Sequence, residues 1–428
     1  MSESNPERRQ FMADMARLTA TSVLAGCATT AADSGRAAAA ATHRAKPAPQ
    51  RRAIGPNDRI QCAFIGVGSR GSSILESTLT LEGVDVTAVC DTYDVWRDRA
   101  VNWCKAKRPE VGSYVRFEDM FEKEPLDAVV IATPDHIHTP AVLAALDAGL
   151  DVYCEKPIAL TAQDARDIRD WVGETGAVFQ TGTQLRSMPM YQKAREVVGS
   201  GAIGKLVLVQ VNRHFKSGRL TEAAPPGDAN EENVHWAAFL RDTKSYPLDF
   251  TRYFHWRQFR EYSNGYFGDL MLHHLDMCHF ITGSDMPARV VAAGGIYNVE
   301  DGRSTPDTVS AVVEYPDSKF HFNFTTADSN GHFGLVERYL GTEGTLEITG
   351  MGAMSVFRND VEEKVPSDGI RNEPHLQNFF DAMRNRSTTI APAEAGCMGA
   401  TVAHMAVWSL DSGRAVRWDA EAGAPVLA

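Results

Sequence analysis

Asp269, His273 and Asp276 stand at i, i+4 and i+7 in the run Gly268-Asp269-Leu270-Met271-Leu272-His273-His274-Leu275-Asp276. On a helix that spacing puts one imidazole and two carboxylates on a single face. A carboxylate one turn from an imidazole can hold it in one tautomer and keep it basic, the arrangement that general-base catalysis on an alcohol requires. An isolated pair of this kind fits two plainer roles as well, an acid complementing a helix N-terminus and a histidine satisfied in a core. His274 and His279 lie off that face and read as structural. Lys156 follows the strand-like run Asp151-Val152-Tyr153-Cys154 and Glu155, and precedes Pro157, which fixes the backbone. Its ammonium is therefore expected at the carboxyl end of a strand, where open α/β sheets bind ligands.

The elements that must position these groups begin at Ile60–Ile65, an apolar strand running directly into Gly66-Val67-Gly68-Ser69-Arg70-Gly71 and a helical stretch. In such a turn Gly66 permits the tight bend, Gly68 lets the backbone approach a pyrophosphate, and Gly71 lets helix and strand pack closely, with the phosphates over the helix N-terminus. A second strand, 84–90, ends in Asp91, where an acid would receive ribose hydroxyls and repel a 2′-phosphate, favouring NAD over NADP. The plainer reading makes Asp91 a strand-end cap. Alternation continues with a strand at 127–133, a helix at 139–150, a strand at 151–154, a helix from about 161 to 175 and a strand near 177–179. Strand, helix, strand at this spacing predicts a parallel sheet with right-handed crossovers. Gly66, Asp91, Thr133 and Glu155-Lys156-Pro157 then all fall at strand carboxyl ends.

The turn G-V-G-S-R-G at 66–71, Asp91, T-P-D-H-I-H at 133–138, E-K-P at 155–157, G-T-Q-L-R-S-M-P-M-Y at 182–191, G-D-L-M-L-H-H-L-D at 268–276 and G-T-E-G-T-L at 341–346 together resemble the glucose-fructose oxidoreductase and inositol dehydrogenase family, Gfo/Idh/MocA. The resemblance implies an α/β protein: a Rossmann dinucleotide-binding domain, here 58–184, then an α+β substrate and oligomerisation domain, 185–428, built on a large, mostly antiparallel open sheet. Strand-like runs at 205–211, 289–294, 308–315, 319–325 and 344–348 fit that sheet by alternation, with helices at about 373–385 and 393–412. The sheet's outer face commonly forms the family's subunit contact, so a homo-oligomer, dimer or tetramer, is implied.

By the same resemblance Lys156 hydrogen-bonds the reacting hydroxyl, His273 removes its proton and Asp269 orients the imidazole, while a hydride passes to NAD. Gly66, Gly68, Ser69, Arg70, Gly71, Asp91, Thr133, Pro134, His138, Glu155 and Lys156 are the implied cofactor contacts. Arg186, Tyr191, Trp256, Arg257 and Asp276 are the implied substrate residues, although Arg186 and Tyr191 fit a domain interface equally and Asp276 fits helix support. Asp135 replaces the asparagine common in T-P-N-x-x-H, which leaves the nearby cofactor contacts open. The implied activity is NAD(P)-dependent oxidoreduction of a sugar or cyclitol hydroxyl by a tightly bound nicotinamide cofactor. Two alternatives stand beside it. One is an NAD-dependent glycosidase using transient ring oxidation and elimination, whose members generally lack the E-K-P lysine; the other is a non-catalytic cofactor-dependent sensor.

The whole chain sets limits on this reading. Its 428 residues are 43% hydrophobic and 23% charged, an ordinary globular composition at two-domain length. Residues 1–57 hold eight Lys/Arg against four Asp/Glu within a formal charge of −12. The acid excess therefore sits in the folded body and disfavours nucleic acid or anionic lipid, leaving a small neutral carbohydrate or cyclitol as the expected partner. Seven cysteines show neither C-x-x-C nor zinc-ligand spacing, so no metal is expected, and Cys62, Cys90 and Cys154 read as buried small hydrophobes. Arg8-Arg9-Gln10-Phe11-Met12 resembles a twin-arginine export signal and Leu24-Ala25-Gly26-Cys27 a lipobox. Residues 1–27 are thus expected as an export signal and 28–57 as a flexible linker, giving a periplasmic or Cys27 lipid-anchored protein.

Overall fold

The structure, a computed structural model, describes residues 51–55, 57–216, 224–332, 334–350, 352–359, 361–365 and 371–428. The expected export signal, Cys27 and nearly all of the expected linker lie outside the described residues. The linker's end is corrected: the Arg52 guanidinium grips both oxygens of Asp127 at 2.6 and 2.7 Å, and Arg51 donates to the Thr175 carbonyl at 2.6 Å. Both arginines are thereby fastened to the folded body rather than to a tether.

The first half alternates as its sequence predicts. In chain order it runs β1 (Ile60–Ile65), α1 (Ser69–Thr78), β2 (Val84–Cys90), α2 (Asp94–Lys105), β3 (Gly112–Tyr114), α3 (Phe117–Lys123), β4 (Ala128–Ile131), α4 (Asp135–Asp147), β5 (Asp151–Cys154), α5 (Ala162–Thr175) and β6 (Phe179–Thr181). The six strands are parallel in the order β3-β2-β1-β4-β5-β6, so the winding reverses at β1 and opens a crevice at its carboxyl end. The strands β4 and β5 are buried at every position, the signature of a sheet covered on both faces. α5 starts where Thr161 accepts from the Asp164 amide and stops at Gly176 with φ 64°. α4 begins at Asp135, four residues before the expected helix at 139, which brings Asp135, His136 and His138 onto its first turn.

The second half comprises α6 (Pro189–Gly199), β7 (Leu206–Arg213), β8 (Phe215–Lys216), α7 (Trp236–Leu240), α8 (Phe250–Phe254), α9 (Leu272–Thr282), β9 (Arg289–Gly295), β10 (Thr308–Tyr315), β11 (Phe320–Ser329), β12 (Leu335–Gly341), β13 (Thr345–Thr349), β14 (Ala353–Arg358), β15 (Val361–Val365), α10 (Glu373–Asn385), α11 (Ala393–Ser412), β16 (Val416–Asp419) and β17 (Ala424–Leu427). Its 11-stranded sheet is mostly antiparallel, with β11 parallel to β7 and β8. Alternation along β10 and β11 sends Val309, Val313, Phe322 and Phe324 inward onto α6, α9 and α11. Packing does not divide the chain at 184. Leu376, Phe379 and Phe380 of α10 enter the core of the parallel sheet, and Cys397 and Ala400 of α11 pack on its other face. A chain segment nearly 200 residues downstream thus supplies part of the first sheet's cover, a long-range pairing that local periodicity cannot register.

Candidate active site

The strand ends build a cleft of about 770 Å³. On one side stand Gly66, Gly68, Ser69 and Arg70 after β1, Asp91 after β2, Thr133, Pro134 and His138 after β4, and Glu155 and Lys156 after β5. From the other half come Trp256, Arg257, Asp269 and His273. A β-carbon on Gly66, where φ is 81°, would lie 2.7 Å from the Ala132 carbonyl oxygen, and one on Gly71 would lie 2.0 Å from that of Gly66. Gly71 itself lies behind the cleft wall, where its role is to let α1 sit against β1. One on Gly68 would meet the Trp96 ring at 2.9 Å. Among the described residues no side chain caps the N-terminus of α1, whose Gly68, Ser69 and Arg70 line the cleft, the kind of helix start that receives an anion. The cradle thus fits a dinucleotide pyrophosphate.

Asp91 holds the turn's shape while facing the cleft: its carboxylate accepts from the Val67 amide at 2.7 Å and from the Tyr93 amide at 2.8 Å. Burial raises its pKa from the ordinary value even against those two donors. Arg70 is committed to Glu155 and Asn372, each at 2.9 Å, so Glu155 acts as the anchor of that guanidinium. His138 has its ring nitrogens 2.7 Å from the Pro157 carbonyl oxygen and 3.0 Å from that of Thr133, and the Lys156-Pro157 peptide is cis.

The reacting end departs from the single-face expectation. Phe267–Met271 forms a π-helical turn before α9, and among the described residues Asp269 makes no hydrogen bond to His273, although its charge still acts on that ring. Asp269 instead accepts from Lys156 Nζ at 3.1 Å, with the Asp269 carbonyl accepting at 2.9 Å, and Arg257 Nε lies 3.4 Å from the same carboxylate. Burial alone would raise the Asp269 pKa, yet the Lys156 and Arg257 cations outweigh it and hold the carboxyl well below the usual range. Orientation of His273 by Asp269 is therefore replaced by orientation of Lys156. Among the described residues His273 Nδ1 is buried without a hydrogen-bond partner, and burial followed by the Lys156 cation holds its pKa well below 6.5. It is a neutral imidazole at physiological pH.

Asp276, Arg186 and Tyr191 are not among the cleft's lining residues, which corrects their implied substrate role. Arg186 grips both oxygens of Asp276 at 2.7 to 3.1 Å, donates to the Ile390 carbonyl at 3.1 Å and stacks its guanidinium over Phe280. Tyr191 is 1% exposed in the core of the second half. Asp276 is held in its pair with Arg186 at 2% exposure. His274 and His279 are buried against Glu337 and Tyr315 at 2.9 and 2.6 Å. Lining residues that no motif marks include Trp96, which covers Gly68, and Arg116, Phe117 and Glu118. Asp135 is visible in the sequence only as a departure from a motif.

Profiles of an "Oxidoreductase family, NAD-binding Rossmann fold" and an "Oxidoreductase family, C-terminal alpha/beta domain" match residues 60–183 and 195–417. The chain belongs to the Gfo/Idh/MocA oxidoreductase family. Among curated relatives, a glycosyl hydrolase family 109 protein of a Shewanella species is 35% identical over 123 residues, 28% of this chain and 27% of that protein. An alpha-N-acetylgalactosaminidase of Shewanella oneidensis is 32% identical over 180 residues, 40% of this chain and 38% of its own. These matches thus span well under half the relatives' length. The solved structure of a levoglucosan dehydrogenase in complex with NADH and L-sorbose is 17% identical, covers 84% of this chain and 98% of its own, and has a TM-score of 0.67. That likeness is one of fold. The two matched domains of the Gfo/Idh/MocA family correspond to the Rossmann half and the mixed-sheet half of this chain.

Proposed function

We propose that this Gfo/Idh/MocA protein oxidises a hydroxyl of a sugar or cyclitol, transferring hydride to a tightly held nicotinamide cofactor. The observation that carries the reading is the Lys156 ammonium, oriented by Asp269 at 3.1 Å and sharing one cleft with the unpartnered His273 Nδ1. A cofactor held over Gly66-Val67-Gly68 and the α1 N-terminus would supply the hydride acceptor. The chain's own groups handle the oxygen: Lys156 donates a hydrogen bond to it, and the neutral His273 accepts its proton at Nδ1. Asp91 supports NAD over NADP, since its carboxylate at the end of β2 repels a 2′-phosphate. Trp256, with the Arg257 guanidinium 4.2 Å above its ring, offers an aromatic face beside charged donors, which suits a neutral polyol.

Retention of the cofactor is supported by segment 228–253, which ties the second half to the end of β2. Tyr93 donates to Asp228 at 2.7 Å, the His235 amide donates to the Thr92 carbonyl at 2.8 Å, and His235 Nε2 lies 2.7 Å from Asp94. Such closure suits a protein carrying its cofactor through twin-arginine export, the address proposed from Arg8-Arg9 and Cys27. A subunit contact on the outer sheet face is supported by Val291 and Val312, paired across β9 and β10 and each more than one-third exposed; light scattering of wild type and Val312→Asp tests it.

The names of the curated relatives favour a second reading, hydrolysis of an N-acetylgalactosaminide with transient oxidation and no net redox change. Lys156 favours oxidoreduction. The test incubates the protein with NAD and, separately, glucose, myo-inositol and an aryl alpha-N-acetylgalactosaminide. NADH accumulation that Lys156→Ala abolishes while NADH binding persists supports the dehydrogenase. Aglycone release without NADH overturns it in favour of hydrolysis.

A further inference from the structure

Among the described residues that line the cleft, two buried side-chain atoms have neither a hydrogen bond nor an ion pair: His273 Nδ1 and Gln184 Oε1. The buried nitrogens of Arg70 and Arg241 at the same cleft lie in ion pairs with Glu155 and Asp242. The imidazole already has a role; the carboxamide has none. A buried acceptor without a donor destabilises the fold that carries it. One that opens onto a cleft is explained when its donor arrives with a ligand.

Gln184 stands on a short bridge between the two segments that carry the chemistry. At one end Thr181 pairs with Cys154 across β5 and β6, and the Gly182 amide donates to the Cys154 carbonyl at 2.7 Å. A β-carbon on Gly182 would stand 2.5 Å from Glu155 Oε1 and 2.9 Å from Glu155 Cα, so a side chain there would push the bridge off the residue before Lys156. At the other end Arg186 grips Asp276 at 2.7 Å, three residues beyond His273. Between these anchors Gln184–Ser187 makes one tight 3-10 turn, with the Arg186 amide on the Thr183 carbonyl at 3.2 Å. Within 182–186, Gln184 alone lines the cleft.

The strand order says which ligand meets it. β6 is the edge strand, and β4 and β5 separate it from β1. At about 4.8 Å per strand, the ends of β1 and β6 lie roughly 14 Å apart. A cofactor with its phosphates at the end of β1 has the ends of β4 and β5 for its nicotinamide half. The end of β6, one strand farther, is left to the substrate. An amide oxygen only accepts. A ligand that presents a carboxylate, a phosphate or bare carbon at this point leaves Gln184 Oε1 unpaired, whereas a hydroxyl satisfies it.

We infer that Gln184 sets substrate specificity by accepting a hydrogen bond from a hydroxyl next to the one oxidised, so that the substrate is a neutral vicinal diol. Lys156 and His273 meet the reacting hydroxyl, and Gln184, pinned between their segments, meets its neighbour. A site built to bond a hydroxyl discriminates strongly against an analogue lacking it, because its own buried polar atom is then left unpaired. Gln184 touches the substrate and moves neither proton nor hydride.

The inference rests on the dehydrogenase reading, and its tests are divided so that the two can fail separately. The first needs no turnover. Gln184→Met keeps the side chain's length and removes both polar atoms, so the urea midpoint of the full-length, cofactor-free protein should rise. A lowered or unchanged midpoint means that the amide is satisfied within the protein, and overturns the assignment. The second is calorimetric titration of the NADH-loaded protein with glucose, myo-inositol and the monodeoxyglucoses. Wild type should bind one monodeoxyglucose at least tenfold more weakly than glucose, and Gln184→Met should bind that pair alike while its NADH affinity stays within twofold. Equal discrimination in both proteins overturns the inference. A tenfold loss of NADH affinity with the sugar ratios kept also overturns it, placing Gln184 on the nicotinamide carboxamide. Failure of every polyol to bind overturns both readings. Discrimination that depends on Gln184, with no NADH formed when NAD replaces NADH, would leave Gln184 assigned and sink the dehydrogenase reading.

Discussion

Asp135 and Asp269 lie in one cleft beside one lysine, yet their environments drive them to opposite protonation states, and that difference has a cost in stability that pH reveals. In the folded protein Asp135 titrates near 7, against 3.8 ordinarily, so between those values the native state holds a proton that the unfolded chain has lost. Stability from this group is present in full below about pH 4, falls as pH rises and levels off above 7. Urea midpoints of the cofactor-free protein should show this slope, and Asp135→Asn should remove it and be the more stable protein at pH 8. A slope unchanged by the substitution would mean that Asp135 is ionised when folded. Arg186 and Asp276 make the opposite case: a buried pair whose value is structural. Asp276→Ala leaves a guanidinium 8% exposed without its anion and is expected to cost about 3–5 kcal/mol in denaturant titrations while NADH affinity stays within a few-fold. Loss of NADH binding at unchanged stability would return Asp276 to the site.

At the scale of elements, two short pieces decide the chemistry. The first is the turn from β1 to α1. A β-carbon on Gly71 would stand 2.0 Å from the Gly66 carbonyl oxygen, backbone against backbone, so no rotamer relieves it. Gly71→Ala must push α1 away from β1; an overpacking cost of about 1–3 kcal/mol is expected together with at least a tenfold loss of NADH affinity, read by fluorescence titration. Unaltered affinity would show that the α1 N-terminus does not hold the phosphates. The second is the π-helical turn at Phe267–Met271. Within it Asp269 receives Lys156 Nζ on both its carboxylate and its carbonyl, while His273, two residues beyond, keeps Nδ1 without a hydrogen-bond partner among the described residues. Nothing in the residue types Phe267-Gly268-Asp269-Leu270-Met271 announces that extra winding.

At the scale of the molecule, the second half closes over the first. Tyr93 and Trp96, at the start of α2, sit in an aromatic cluster with Phe239, Tyr253 and Phe254, and the cluster is pinned by the Tyr93 hydroxyl on Asp228 and by His235 on Asp94. Each such bond is worth about 1 kcal/mol. Tyr93→Phe combined with His235→Ala should therefore speed release of bound NAD by roughly tenfold or more, measured by stopped-flow displacement. An unchanged release rate would show that this segment does not govern retention.

What the sequence determines here is whatever is written locally. The glycines at 66, 68 and 71, the acid at 91 and the alternating strand and helix runs specify a parallel sheet and its ligand edge, because turn geometry and burial on both faces act over a few residues. Lys156, Asp269 and His273 were also legible as a group, since the motifs that carry them are short. Tertiary structure alone decided the pairings. It gave Asp269 to Lys156, took Arg186, Tyr191 and Asp276 into the core, covered the first sheet with helices from beyond residue 372, and buried Asp135 until a surface-type acid became a neutral-range one. Those outcomes depend on distance, helical phase and desolvation between segments far apart in the chain, quantities that no local pattern of residues contains.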